Sequence, residues 1–289
     1  MKNNFIFKFI LNEIFYNGHF QTWGSLAIVI SSGQLINIKI GWDLLLITYL
    51  SFYLLYLHDR YRDIEIDSIT NPIRSKHIKK IYKYVPYILI IGLIILLFLL
   101  YYFSNIYASI FIILITIFGF LYPLYFKKLT KKFIAFKNFY VASVFSLLTI
   151  LPVIYYKIPL TNITWIILFL IFIFTFLRGV MMQFFLDLKD IEGDKESGLL
   201  TLGVVYGKEK VFRIINFMNF FTSLFFPLLY FIAPYLLLPA AVLFIVFLVP
   251  WNFYFFNLAR RGNFWGFVLG SGEFLYWPIL VGIGQMILK

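Results

Sequence analysis

Residues 58–67 read His-Asp-Arg-Tyr-Arg-Asp-Ile-Glu-Ile-Asp, and residues 187–194 read Asp-Leu-Lys-Asp-Ile-Glu-Gly-Asp. Each cluster follows a long apolar run, and together they hold most of the 13 acidic residues in a chain of 289. Carboxylates gathered in this way repel one another and stay partly protonated unless cations sit among them. There is no cysteine, and the three histidines (His19, His58, His77) are scattered without a zinc-type spacing. The ligands on offer are therefore oxygens, which suit Mg²⁺ held by a carboxylate or two together with substrate phosphates. Near the clusters lie Arg60, Arg62, Arg74, Lys76, Lys127, Lys128, Lys131 and Lys195, donors matched to phosphate oxygens. Acid, metal and base in one place describe a diphosphate site.

Helical geometry predicts how the clusters are presented. At about 100° per residue, Asp63 and Asp67 share a face with Asp59 just beside them, and that face continues into the apolar run through Tyr56, Tyr53 and Tyr49. In the second segment Asp187, Asp190 and Asp194 align above Gln183, Gly179, Phe176 and Phe172, with Gly193 placed to interrupt the helix before Asp194. A charged mouth over an aromatic cavity fits the ionisation of a prenyl diphosphate. The metal neutralises the leaving group, ring faces stabilise the allylic cation, and a second substrate attacks C1. Either cluster taken alone is equally a solvated juxtamembrane loop, and the tyrosine stripe is equally ordinary helix packing or an aromatic belt. Two spaced clusters on one side of a membrane favour the site.

The elements that must position these residues are membrane helices. The chain is 62% hydrophobic, 22% aromatic and only 13% charged, with a mean hydropathy of +0.89, which places it in a bilayer. Nine stretches approach the roughly 20 apolar residues a spanning helix needs: Phe20 to Ile36, Trp42 to Leu57, Val85 to Phe103, Ile106 to Phe126, Asn138 to Tyr156, Thr161 to Leu186, Ile214 to Ile232, Tyr235 to Leu258 and Phe264 to Leu288. No polar linker separates them, so residues 1–289 read as one all-α polytopic domain, a bundle of about nine helices. Residues 1–18, with Lys2 and Lys8 among Phe and Ile, read as an interfacial helix and not a signal peptide.

With nine spans, 21 of the 25 Lys and Arg residues fall in the N-terminus and the loops on its side, three fall on the other side, and Arg178 lies within a span. The positive-inside rule makes that side cytoplasmic and puts both acidic clusters there. The formal charge of +12 is thus topogenic, with no nucleic-acid partner implied. Two charges remain deep in apolar runs, Arg178 and Glu273, each about 13 Å from the cytoplasmic end at 1.5 Å per residue. Buried charges in a membrane pair with one another, so the two are expected to meet in a structural contact.

The motifs resemble those of the UbiA-type intramembrane prenyltransferases. Asp59-x3-Asp63-x3-Asp67 followed by Asn71-Pro72-Ile73-Arg74 is similar to the first aspartate-rich motif, and Asp187-x2-Asp190-x3-Asp194 followed by Gly198 and Thr201-Leu202 to the second. The basic loop from Tyr122 to Lys128 and the nine spans extend the likeness over nearly the whole chain. What the resemblance implies is a helical bundle around a central cavity, with Mg²⁺ bridging the motifs to a prenyl diphosphate. The reaction implied is prenyl transfer to an aromatic or lipid-like acceptor. Carried over by position, Asp63, Asp67, Asp190 and Asp194 are the catalytic metal ligands, supported by Asp59 and Asp187. Arg74 with Lys127 or Lys128 holds the diphosphate, Arg60 adds a phosphate donor, and Tyr53, Tyr56 and Gln183 line the substrate cavity. The first motif departs from the usual Asn-Asp opening, having Asp59-Arg60, and lacks the usual proline-rich continuation after Arg74. Two other classes use acids in membranes. A CDP-alcohol phosphatidyltransferase needs Asp-Gly and Ala-Arg elements in its aspartate motif, which both acidic clusters here lack, and a cation-coupled transporter needs acids near the midplane.

Overall fold

A computed structural model of the protein describes residues 2–225, 227, 231 and 242–288. Every regular element in them is helical. No water reaches a backbone amide in the bilayer core, so a spanning run closes its hydrogen bonds within itself. Tyr82–Phe103, Ile106–Leu124, Phe136–Tyr156 and Thr164–Asp187 are each long and apolar enough to cross a membrane, and Phe264–Ser271 with Glu273–Ile287 makes a fifth span if the bent pair counts as one. The protein is an all-helical, multi-pass membrane protein.

The chain runs through α1 (Lys2–Tyr16), α2 (His19–Leu35), α3 (Trp42–Arg62), α4 (Ile64–Thr70), α5 (Pro72–Lys79), α6 (Val85–Phe103) and α7 (Ile106–Leu124). It continues through α8 (Phe136–Leu147), α9 (Leu151–Tyr156), α10 (Asn162–Asp187), α11 (Ile191–Glu196), α12 (Leu202–Tyr206) and α13 (Lys208–Ser223). The last elements are α14 (Val249–Arg260), α15 (Phe264–Ser271) and α16 (Glu273–Leu288). The end of the expected Ile214 to Ile232 span and the start of Tyr235 to Leu258, with Pro239, lie outside the described residues.

Two runs expected as single helices are interrupted. Asn138 to Tyr156 becomes α8 and α9, separated at residues 148–150 where Pro152 opens the second helix. Proline suits a first helical turn because it has no N–H to bond backwards. Phe264 to Leu288 becomes α15 and α16, bent by 53° at Gly272, where a side chain would come within 2.9 Å of Phe20.

The core runs down the bundle axis through Ile28, Leu44, Ile47, Phe52, Leu148, Ile171, Phe174, Trp277 and Val281. Outward faces are also apolar: α6 exposes Tyr87, Ile90, Ile94, Phe98 and Tyr101, as lipid contact demands. At the end opposite the acidic clusters, Asn105 caps α7 and donates to the carbonyls of Ile154 and Tyr155, both at 2.8 Å. Nearby, the Tyr155 hydroxyl donates to Asp43 at 2.6 Å.

Arg178 and Glu273 meet as expected. Both are fully buried, with Arg178 Nε 2.7 Å from Glu273 Oε1 and Nη2 2.5 Å from Oε2. The second guanidinium nitrogen donates to the Asn219 carbonyl and side chain, both at 3.1 Å, and to Thr222 at 2.9 Å. Asn252 and Trp277 complete the shell of Glu273 at 2.6 and 3.2 Å. A bidentate pair of this kind fixes how α10, α13, α14 and α16 sit together. Removing one partner strands a buried charge, so Glu273→Ala should lose about 3–5 kcal/mol, read as a lower melting temperature in detergent. The double substitution Arg178→Met/Glu273→Leu should recover most of that loss.

Candidate active site

The α3–α4 junction carries the first cluster. Although α3 ends at Arg62, the four-residue backbone bonds persist across the join: Asp63 to Asp59 at 2.9 Å, Asp67 to Asp63 at 2.8 Å and Asn71 to Asp67 at 2.8 Å. All three carboxylates are therefore delivered to one side. The second cluster sits where α10 passes into α11, with the Asp194 amide bonded to the Asp190 carbonyl at 2.8 Å. Asn71 joins the clusters directly, donating to Asp190 Oδ1 at 2.8 Å. Gly193 permits the approach, because a Cβ there would lie 2.8 Å from Thr70 Cγ2.

A cavity of about 220 Å³ opens between them, lined by Asp59, Asp63, Asp67, Asp187, Asp190 and Asp194 at its mouth. Five bases share that lining, Arg60, Arg74, Lys127, Lys137 and Lys189, so the mouth is nearly neutral. Arg74 pairs with Asp67, and Lys127 with Asp63. Lys137, at the first turn of α8, bonds both Asp194 oxygens at 2.8 and 2.9 Å and Asp187 at 3.0 Å, while Asn138 donates to Asp187 at 2.7 Å. Below the charges the walls are Phe52, Leu55, Tyr56, Tyr122, Tyr140, Val144 and Phe145.

Burial governs the electrostatics. It pushes the Asp194 carboxyl up to about 6 against the pull of Lys137, and it raises Asp67 against the pull of Arg74. Burial also opposes the charge on Lys127, but Asp59 and Asp63 outweigh it and hold that ammonium above its ordinary value. Among the described residues no three acidic or histidine side chains converge tightly enough to cage a metal unaided. The donor set still fits Mg²⁺ that arrives with phosphates, since that ion takes only one or two carboxylates. Asp59 also keeps a buried Oδ1 with no hydrogen-bond partner.

Several expected residues lie elsewhere. Tyr53 turns from the cavity: its ring stacks on His19 at 4.7 Å and its hydroxyl accepts from Asn17 at 3.3 Å. The physical reason is that this part of α3 faces the α1–α2 turn. Lys128 is exposed and outside the cavity wall, because it follows Lys127 in a tight 3₁₀ segment, Phe126–Lys131, where each side chain is turned about 120° from the one before. Arg60 reaches the cavity edge, but its guanidinium donates to the Tyr16 carbonyl and to Gln21 at 2.9 Å. Lys137, Asn138, Tyr122 and Tyr140 were not singled out from sequence.

A helical membrane bundle whose cavity gathers two aspartate clusters above an aromatic floor defines a class of membrane protein with a charged mouth over an apolar chamber. Residues 20–272 match the UbiA prenyltransferase family, and the chain belongs to that family. Over 63 residues it is 35% identical to the digeranylgeranylglyceryl phosphate synthase of Methanosphaera stadtmanae, a match spanning 22% of this chain and 23% of that protein. Among solved structures, the apo UbiA homolog from Aeropyrum pernix K1 superposes with a TM-score of 0.69 at 16% identity, covering 92% of this chain and 97% of the other. The UbiA homolog from Archaeoglobus fulgidus bound to GPP and Mg²⁺ gives a TM-score of 0.66 at 13% identity, covering 96% and 99%. These two likenesses carry the fold.

Two measurements check the site. Gly193→Ala should push α11 from α4 and weaken thermal stability, and adding Thr70→Ser, which removes the opposing methyl, should restore it. In the metal-free protein, difference infrared spectra should gain a carboxylic-acid band as pH falls through about 6. The raised value means the proton is taken up above the ordinary carboxylate range, and Asp194→Asn should weaken the band.

Proposed function

We propose that the chain transfers a prenyl group from a prenyl diphosphate to a lipid-like or aromatic acceptor, with Mg²⁺ held between the two aspartate clusters at the cytoplasmic mouth of one polytopic domain. The observation that carries this reading is the meeting of both clusters across one cavity, joined by the Asn71–Asp190 bond of 2.8 Å, over an apolar chamber. The relative that binds GPP with Mg²⁺ supports the donor. The concentration of 21 of 25 basic residues on one side supports the orientation, with α1 lying at that surface.

In this reading Asp63, Asp67, Asp190 and Asp194 offer oxygens to the ion, while Asp59 and Asp187 back them. When bound, Mg²⁺ supplies the charge that stabilises the leaving diphosphate. Arg74 and Lys127 exchange their carboxylate partners for phosphate oxygens, and Lys137 keeps Asp187 and Asp194 in register. The C1–O bond breaks with its electron pair leaving on diphosphate. Tyr56, Tyr122 and Tyr140 present ring faces along the chamber to the allylic cation. The acceptor nucleophile then bonds to C1 and its proton passes to the released diphosphate or to water at the mouth.

A second chamber of about 440 Å³ shares Gln21, Thr70, Arg74, Leu186 and Lys189 with the first. Its lining contains Arg74, Lys189 and Lys208 with Phe15, Phe264 and Phe267, and no carboxylate. That chemistry favours an acceptor with an anionic head and an apolar body. The test is product formation from Mg²⁺, labelled prenyl diphosphates and acceptors with and without a phosphate or carboxylate. Asp63→Asn and Asp190→Asn should each lower turnover by at least about a hundredfold; full activity in either would overturn the metal assignment.

A further inference from the structure

The apolar end of the donor chamber is closed by two rings at one level. On α3, Phe52 lies seven residues below Asp59, and on α8, Phe145 lies eight below Lys137, so both sit about 10–12 Å beneath the charged mouth at 1.5 Å per residue. Their rings meet edge-to-face at 5.3 Å. Phe145 also stacks on Phe274 of α16, 6.1 Å away and inclined by only 14°, and is itself buried, 7% exposed.

Behind Phe145 lies a narrow slot of about 40 Å³ between α2, α8, α10 and α16. Small residues line it, Gly24, Ala142 and Gly179 among them. Phe145 lines both spaces, and of the residues common to both it lies farthest from the aspartates. The other shared residues are Gln21, which accepts from Arg60 at the charged edge at 2.9 Å, and Tyr56, Gln183 and Leu186, within about four residues of Asp59 or Asp187, or about 6 Å. Trimming this one ring would therefore join the chamber to the slot at its deep end.

We propose that Phe145 sets the longest prenyl tail the donor chamber accepts, by closing it off from the small-residue slot between α2 and α16. This rests on the donor reading given above. A tail longer than the chamber has to displace a ring held by Phe52 and Phe274, whereas a shorter one never reaches it.

The test uses the full chain in detergent with Mg²⁺ and the unreactive S-thiolodiphosphates of dimethylallyl, geranyl and geranylgeranyl alcohols, with binding followed by calorimetry, so that no acceptor is needed. Phe145→Ala should shift the affinity ratio of geranylgeranyl over geranyl towards the longer tail by at least about tenfold, with dimethylallyl binding changing least of the three. Phe145→Leu should shift it in the same direction by less. Gly24→Leu fills the slot from α2, where a Cβ has 3.8 Å of room to Phe274. Added to Phe145→Ala, it should cancel the gain. An unchanged ratio in both Phe145 variants, or a gain that survives Gly24→Leu, overturns the proposal. Failure of the wild-type chain to bind any of the three analogues would instead overturn the donor reading on which it rests.

Discussion

Repulsion among six carboxylates around one cavity is the constraint that the rest of the site answers. The fold meets it by bringing bases and amides from other elements: Arg74 and Asn71 from the α4–α5 region, Lys127 from the turn after α7, Lys137 and Asn138 from α8. Five bases against six acids leave the mouth almost uncharged. The groups that quiet the aspartates are also those suited to phosphate oxygens. In the proposed reading a metal–diphosphate headgroup would trade partners with the site, each ion pair broken in the protein being replaced by one of similar kind.

Helix geometry explains which parts of this were legible beforehand. The aspartate spacings placed their side chains together because the four-residue bond pattern crosses the α3–α4 break unharmed. Depth along a helix located Arg178 and Glu273 at matching levels, since rise per residue is nearly constant. Rotation was harder. Tyr53 and Tyr56 are neighbours on one stripe, yet only Tyr56 reaches the cavity because the α1–α2 turn takes the other. Lys137 looked like one more loop charge, since nothing in the residue order says that α8 begins one position earlier. The breaks before Pro152 and at Gly272 fall inside unbroken apolar runs, where hydropathy carries no boundary.

The atypical Asp59-Arg60 opening has a structural counterpart at the N-terminus. The Arg60 guanidinium bonds the last carbonyl of α1 and the side chain of Gln21, and Gln21 lines both large chambers. On the other face of α1, Glu13 contacts His77 of α5 at 3.0 Å and receives a bond from Asn17 at 2.8 Å. The turn between α1 and α2 relies on Gly18 at φ 100°, where a Cβ would lie 2.9 Å from that of Tyr56. Both halves of the first motif, before and after Asp67, are thereby fastened to the same amphipathic helix.

The guanidinium of Arg178 and its acidic counterpart are 95 positions apart in the chain. During synthesis, α10 must enter the lipid long before α16 exists, leaving a cation whose neutralising partner has not yet been made. Asn219 and Thr222 arrive first and offer only dipoles. The nascent bundle is thus left electrically incomplete until α16 inserts, and a product cut short before Glu273 would carry an unmet charge in the membrane.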